Sequence, residues 1–133
     1  SGNPLSTSAG MAQLTVLLED KKHFDLLESQ GDTLRRGLDA AAAELDIKAH
    51  TTGMGSMWGF HFTTEQTIRD VRSRDETTRA LNRLLGIYLL TEGILIASPT
   101  LGFLSTEHTH ADIQTLLAGF RAALAKMKSS GVL

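Results

Sequence analysis

The 133-residue sequence predicts an α+β domain: a small, mostly antiparallel sheet covered by helices, in the order α-α-β-β-α-β-β-α. Three observations carry this expectation. Four segments repeat apolar residues at helical spacing. Two pairs of short apolar runs read as strands, and each pair is joined by a turn containing Gly or Pro. Strand runs that close in sequence favour antiparallel neighbours, and helices precede and follow them. These elements suffice for one core, so residues 1–133 are expected to form a single domain.

The first helix is expected from Pro4 to about Asp20, with Asn3 as its cap and Pro4 at the first helical position, where a missing N–H costs nothing. Leu5, Ala9, Ala12 and Val16 recur along it. The second helix starts near Lys22 and carries the stripe Phe24, Leu27, Gly31, Leu34, Leu38, Ala41, Leu45. Gly31 interrupts the large residues, so it either admits a close neighbour or marks a break. "IKAHT" (Ile47–Thr51) and "SMWGFHF" (Ser56–Phe62) read as paired strands, the latter with Trp58, Phe60 and Phe62 on one face. A polar stretch, Thr63–Thr78, follows as the candidate mobile segment. The third helix takes over near Asp75 with Leu81, Leu84, Leu85 and Tyr88 on one side, and Gly93 fits its C′ position. "ILIA" (Ile94–Ala97) and "LGFLS" (Leu101–Ser105) are the remaining strands. The last helix opens at Thr109 and Asp112, which have the spacing of a capping box. Its apolar positions are Ile113, Leu116, Leu117, Phe120, Leu124 and Met127.

Composition excludes several function classes. A net charge of -2 gives no electrostatic reason to expect nucleic acid or an anionic membrane as partner. With no cysteine there is no disulfide framework, thiolate metal site or Cys nucleophile, and the chain fits a cytoplasmic protein. The longest apolar run, Leu84–Leu90, is far below the roughly 18 residues of a membrane span.

No catalytic set is self-evident. Ser105, His108, His110 and Asp112 look hydrolytic on paper. Triad members, however, usually converge from separated parts of a chain, and neighbours ahead of a helix cap are not expected to point at each other. His108 and His110 have a spacing that chelates metals in strands, but a third ligand is missing. Gly53, Gly55 and Gly59 lead into a strand rather than a helix N-terminus, so they are not a phosphate loop. Lys21, Lys22, Lys48, Lys126 and Lys128 sit at helix ends or beside polar residues, unsuited to a buried Schiff-base role. Arg69, Arg72, Arg74 and Arg79 mingle with acidic residues in a charge-balanced stretch.

Four phrases, in order, resemble the C-terminal small domain of class III pyridoxal-phosphate-dependent aminotransferases, in the branch that includes the glutamate-1-semialdehyde aminomutases. They are "SGNPL…AG" ahead of a long helix, "LESQGDTLRRGL", "GSMWGFHF" and "LLTEGILIASPTLGFLSTEHTHADI". The resemblance implies the C-terminal domain of a larger polypeptide, residues 1–20 forming the interdomain helix. A large N-terminal domain would carry the aldimine lysine. The parent would be a dimer acting on small amines, amino acids and oxo acids, and the isolated domain would be inactive and bind no cofactor alone. Ser1, Gly2 and Asn3 match the motif at the edge of the cofactor-phosphate site of the partner subunit. In the aminomutases the turn before "GF-x-S-T-x-H" is longer and carries a glutamate. Here Thr100 and Leu101 stand in its place, which favours a transaminase over a mutase and makes these two residues candidates for the substrate side. A solvent-facing turn is the other reading of them. A stand-alone α+β binding module is the alternative for the whole chain.

Overall fold

The computed structural model describes residues 2–65, 67–68 and 76–133, with the side chains of residues 76 and 77 left aside. Ser1 and half of the polar stretch expected to be mobile therefore lie outside the described residues, Arg69, Arg72 and Arg74 among them. The elements are α1 (Pro4–Glu19), α2 (Lys22–Glu44), β1 (Ala49–Thr52), β2 (Met57–Phe62), α3 (Glu76–Thr91), β3 (Gly102–Phe103) and α4 (His110–Ser129). The α+β class holds, with an antiparallel sheet in the order β1-β2-β3. The register pairs Thr51 with Phe60 and Trp58 with Gly102.

One expected strand is corrected. Ile94–Ala97 has no ladder partner, so the observed order among the described residues is α-α-β-β-α-β-α. The ladder position beside Phe60 is taken by Pro99, whose carbonyl accepts from the Phe60 N–H at 2.8 Å. A turn at Ser98–Thr100 then brings the chain onto the edge of β2, where Leu104 N–H reaches Ser56 O at 2.9 Å. The expected strand Leu101–Ser105 is thereby reduced to the two residues of β3.

The core forms where α2, α3 and α4 meet the inner face of β2. Trp58, Phe60 and Phe62 all point into it, and Phe120 of α4 meets Trp58 and Phe60 edge-on at 5.7 and 5.8 Å. Leu34, Leu38, Leu85, Leu89, Ile113, Leu124 and Met127 complete it. All of these but Leu89 lie on the stripes that the sequence placed inward. Aromatic rings meeting edge to face gain quadrupole attraction beyond their buried area, about 0.5–1.5 kcal/mol per pair. The opposite face of β2 is covered too, because Thr100 lies across Gly59 so closely that a Cβ there would overlap the Thr100 carbonyl oxygen.

The helix ends follow from local chemistry. Asn3 Oδ1 accepts from Leu5 N–H at 2.9 Å, with Pro4 at the first position of α1. Thr109 and Asp112 form a reciprocal capping box on α4. Each of α2, α3 and α4 ends in a Schellman pattern, with Asp46, Gly93 and Gly131 in the left-handed region at C′. The six-to-one bonds are Ile47 N to Ala42 O, Ile94 N to Leu89 O and Val132 N to Met127 O, at 2.9, 2.9 and 3.1 Å. Gly31 does not break α2; it is the point of closest approach to the β1–β2 turn. α1 differs from the other helices in having no buried residue, and Leu5, Met11, Leu14, Val16 and Leu18 are all exposed.

Candidate functional site

Two clefts flank the segment Ile94–Leu104. One, of about 540 Å³, lies between α3 and Ile96–Thr100, with Asn82, Arg83, Ile87 and Leu90 on its helical wall. The other, of about 480 Å³, lies between Ile94–Ala97, β3 and the start of α4, floored by Trp58, Ile113 and Leu116. The first contains Thr100 and the second Leu101, so consecutive residues address different clefts. Thr100 is half-buried and held in its turn, its Oγ1 2.8 Å from Ser98 Oγ and its N–H donating to Ser98 Oγ at 3.2 Å. Leu101 is exposed.

Each cleft borders a buried polar group without a hydrogen-bond partner among the described residues. Asn82 Nδ2 donates to Thr78 O at 2.9 Å within α3, leaving Oδ1 unmatched. Trp58 Nε1–H likewise finds no acceptor among the described residues; it lies against Gly102, where a Cβ would come within 2.6 Å of it. Buried groups of this kind are rare in native folds. Neither was legible in the sequence: the apolar stripes of α3 and β2 gave no sign that Asn82 or the indole nitrogen would be enclosed.

The remaining candidates are dispersed. Gly2 is exposed, and Asn3 is engaged as the cap of α1, away from both clefts. Ser105 and His108 do meet, contrary to the sequence expectation, with Ser105 Oγ 2.9 Å from His108 Nδ1. The reason is a tight turn, closed by His108 N–H to Ser105 O at 3.2 Å. Ser105 N–H also donates to Nδ1 at 3.0 Å, which makes that nitrogen an acceptor. No triad results. Asp112 Oδ2 is occupied by the Thr109 N–H and hydroxyl, each at 2.7 Å, and these bonds hold its carboxyl below the usual carboxylate range. Among the described residues no group of three His, Asp or Glu side chains could hold a metal ion.

The lysines are all exposed. Lys126 is bonded to Glu92, which lowers the pKa of that carboxylate, and Lys128 to the Leu45 carbonyl. A Schiff-base lysine must be shielded enough to lose its proton near neutrality. None of these fits that task, so no lysine of this chain is placed to form an aldimine with a pyridoxal cofactor.

Comparison with known proteins places the whole domain. No protein-family profile matches the chain. It is 34% identical over 132 residues to the glutamate-1-semialdehyde 2,1-aminomutase of Roseiflexus castenholzii, covering 98% of this chain and 30% of that protein. Its fold matches an omega-transaminase from Sphaerobacter thermophilus with a TM-score of 0.80 and 26% identity, over 96% of this chain and 29% of the other. A transaminase solved with PLP bound matches at a TM-score of 0.76 and 22% identity, over 98% and 29% of the respective chains, a likeness of fold. The α-helical layer on a small antiparallel sheet thus has the fold of a transaminase domain. The likeness to the aminomutase and to the omega-transaminase, each along nearly the whole of this chain, supports the C-terminal domain of a class III aminotransferase. The chain spans about a third of the length of the relatives it matches.

Proposed function

We propose that this domain forms one wall of the active-site cleft in a larger pyridoxal-phosphate-dependent aminotransferase, which moves an amino group between an amine or amino acid and an oxo acid. The observation that carries the reading is likeness sustained along 98% of this chain to 30% of an aminomutase. The cofactor, when bound to the parent, supplies an electron sink for the amino carbon. The lysine that anchors it belongs to the portion of the parent outside this chain. What this chain supplies is surface: Thr100 and Leu101 at the substrate side, and Ser1, Gly2 and Asn3 as backbone at the edge of the phosphate site of the partner subunit. A neutral pairing of hydroxyl and aliphatic side chain where an aminomutase carries glutamate supports transamination over mutation. The reading makes the parent a homodimer of the cytoplasm and the isolated domain inactive. The absence of cysteine and of any membrane-length apolar helix among the described residues agrees with that compartment.

The coding sequence upstream of the Ser1 codon tests this reading first. A long open frame with a lysine after an apolar strand, and a threonine two residues ahead of Ser1, is the expected result. A start codon within a few residues of Ser1 would overturn it. A screen of amines and amino acids against the full-length enzyme then separates transaminase from aminomutase: consumption of an oxo acid in step with donor supports the former.

A further inference from the structure

The run Ile94–Ala97 has the pattern of a strand and the bonding of none. Ile94 and Ile96 are turned inward while Leu95 and Ala97 are exposed, the period-two alternation of a half-buried strand. Its ends are fastened. Ile94 N–H closes the α3 cap on Leu89 O and its side chain lies against Gly119, while Pro99 O accepts from Phe60. Between those anchors, the N–H and C=O groups of Leu95, Ile96 and Ala97 make no hydrogen bond among the described residues. Such a row of unpaired backbone groups is a template for another strand.

We propose that an extended segment of the parent polypeptide, outside this chain, adds to the sheet-like run Ile94–Ala97 as a β-strand. The inference rests on the aminotransferase reading, since this chain spans only 30% of its relative and leaves most of such a parent to provide the segment. The surroundings fit a peptide better than a small molecule. The cleft on one side borders a buried donor, Trp58 Nε1–H, and the cleft on the other borders a buried acceptor, Asn82 Oδ1. A polypeptide laid along one edge of the run meets one of these clefts, and its backbone offers donors and acceptors in alternation. Exposed aliphatic side chains line both clefts, Leu95 the one beside β3 and Ile87 and Leu90 the one beside α3.

The test is hydrogen exchange, read by mass spectrometry on peptides covering residues 94–98 in the full-length holoenzyme, alongside the visible absorbance of its pyridoxal-phosphate aldimine. Exchange slowed roughly 100-fold or more relative to an unstructured peptide of the same sequence is the expected result. Exchange at the unstructured rate in an enzyme with aldimine absorbance overturns the added strand and leaves the aminotransferase reading standing. Slow exchange without that absorbance supports the strand and removes the aminotransferase reading. Fast exchange without absorbance overturns both.

Discussion

Gly31 of α2 rests against the carbonyl oxygen of Gly55 so closely that a Cβ on Gly31 would overlap it. One turn along the same helix, Arg35 Nη1 donates to the carbonyls of Gly55 and Met57 at 2.8 and 3.1 Å. The β1–β2 turn is thus clamped onto α2 by one contact that requires no side chain and one that requires a long cationic one.

Gly31→Ala therefore sets two effects against each other. Helix propensity favours alanine by about 1 kcal/mol. Overlap with a backbone carbonyl forces the turn to shift, at roughly 1–3 kcal/mol. The overlap should win, because the obstacle is main chain rather than a flexible side-chain end. A urea titration showing a lower midpoint at unchanged slope is the expected outcome; a higher midpoint would mean that the turn yields freely.

Arg35→Met keeps the aliphatic stem and deletes the donors, leaving two carbonyls to find other partners. The loss should be about 1.5–3 kcal/mol, the range for hydrogen bonds to a charged group. Arg35→Lys should recover only part of it, since an ammonium does not reproduce the guanidinium fork that serves Gly55, Met57 and Asp32 together. Thermal unfolding of the two variants side by side decides the point.

Asp46 holds φ 49° at the C′ position of α2, where Gly93 and Gly131 serve α3 and α4. Its exposed ion pair with Lys48, at 3.9 Å, offers little in return. Asp46→Gly should raise stability by a few tenths of a kcal/mol, strain relief exceeding the added freedom of the unfolded chain. A lowered melting temperature would contradict this account.

Acid should weaken the start of α4. The Thr109 bonds depress the pKa of Asp112 below its ordinary value, so the unfolded chain binds this proton first as pH falls. The cap's contribution is present above the ordinary carboxylate pKa, near pH 4, and disappears as pH drops through the lower folded value. Thr109→Ala should cost about 1 kcal/mol at neutral pH. It should also flatten the dependence of melting temperature on pH below about 4 relative to the parent sequence.

In the full-length enzyme, Leu101→Ala should lower kcat/KM for the preferred donor roughly tenfold, the scale of a lost apolar contact in a pocket. Melting temperature should stay put, because Leu101 is exposed in this domain. Unchanged kinetics would assign the residue to solvent.

Much of the fold was legible because it is written in short-range chemistry. Asn3-Pro4, Thr109-Asp112 and Gly93 mark helix ends through bonds within a few residues, and the α4 stripe places Ile113, Phe120, Leu124 and Met127 in the core as read. Ile94–Ala97 was misjudged for a physical reason: composition and alternation specify a strand's shape, whereas a ladder needs a second backbone, and the described residues place none beside it. Arg35 went unnoticed because its partners are carbonyls of a turn, which carry no residue signature. The meeting of Ser105 with His108 depended on a turn geometry that spacing alone does not dictate. For Thr100 and Leu101, position in a phrase was readable, but their division between two clefts was not.

α1 has a consequence for assembly. Sixteen residues without one buried side chain span about 24 Å, and helices of this length are marginal in water unless packed. Its order is therefore conditional. Far-ultraviolet circular dichroism of this segment would track whether a neighbour is present, and a lesion confined to that neighbour would first unwind α1, ahead of the aromatic core around Phe120. The helix works as a tether whose stiffness is set by whatever it leans on.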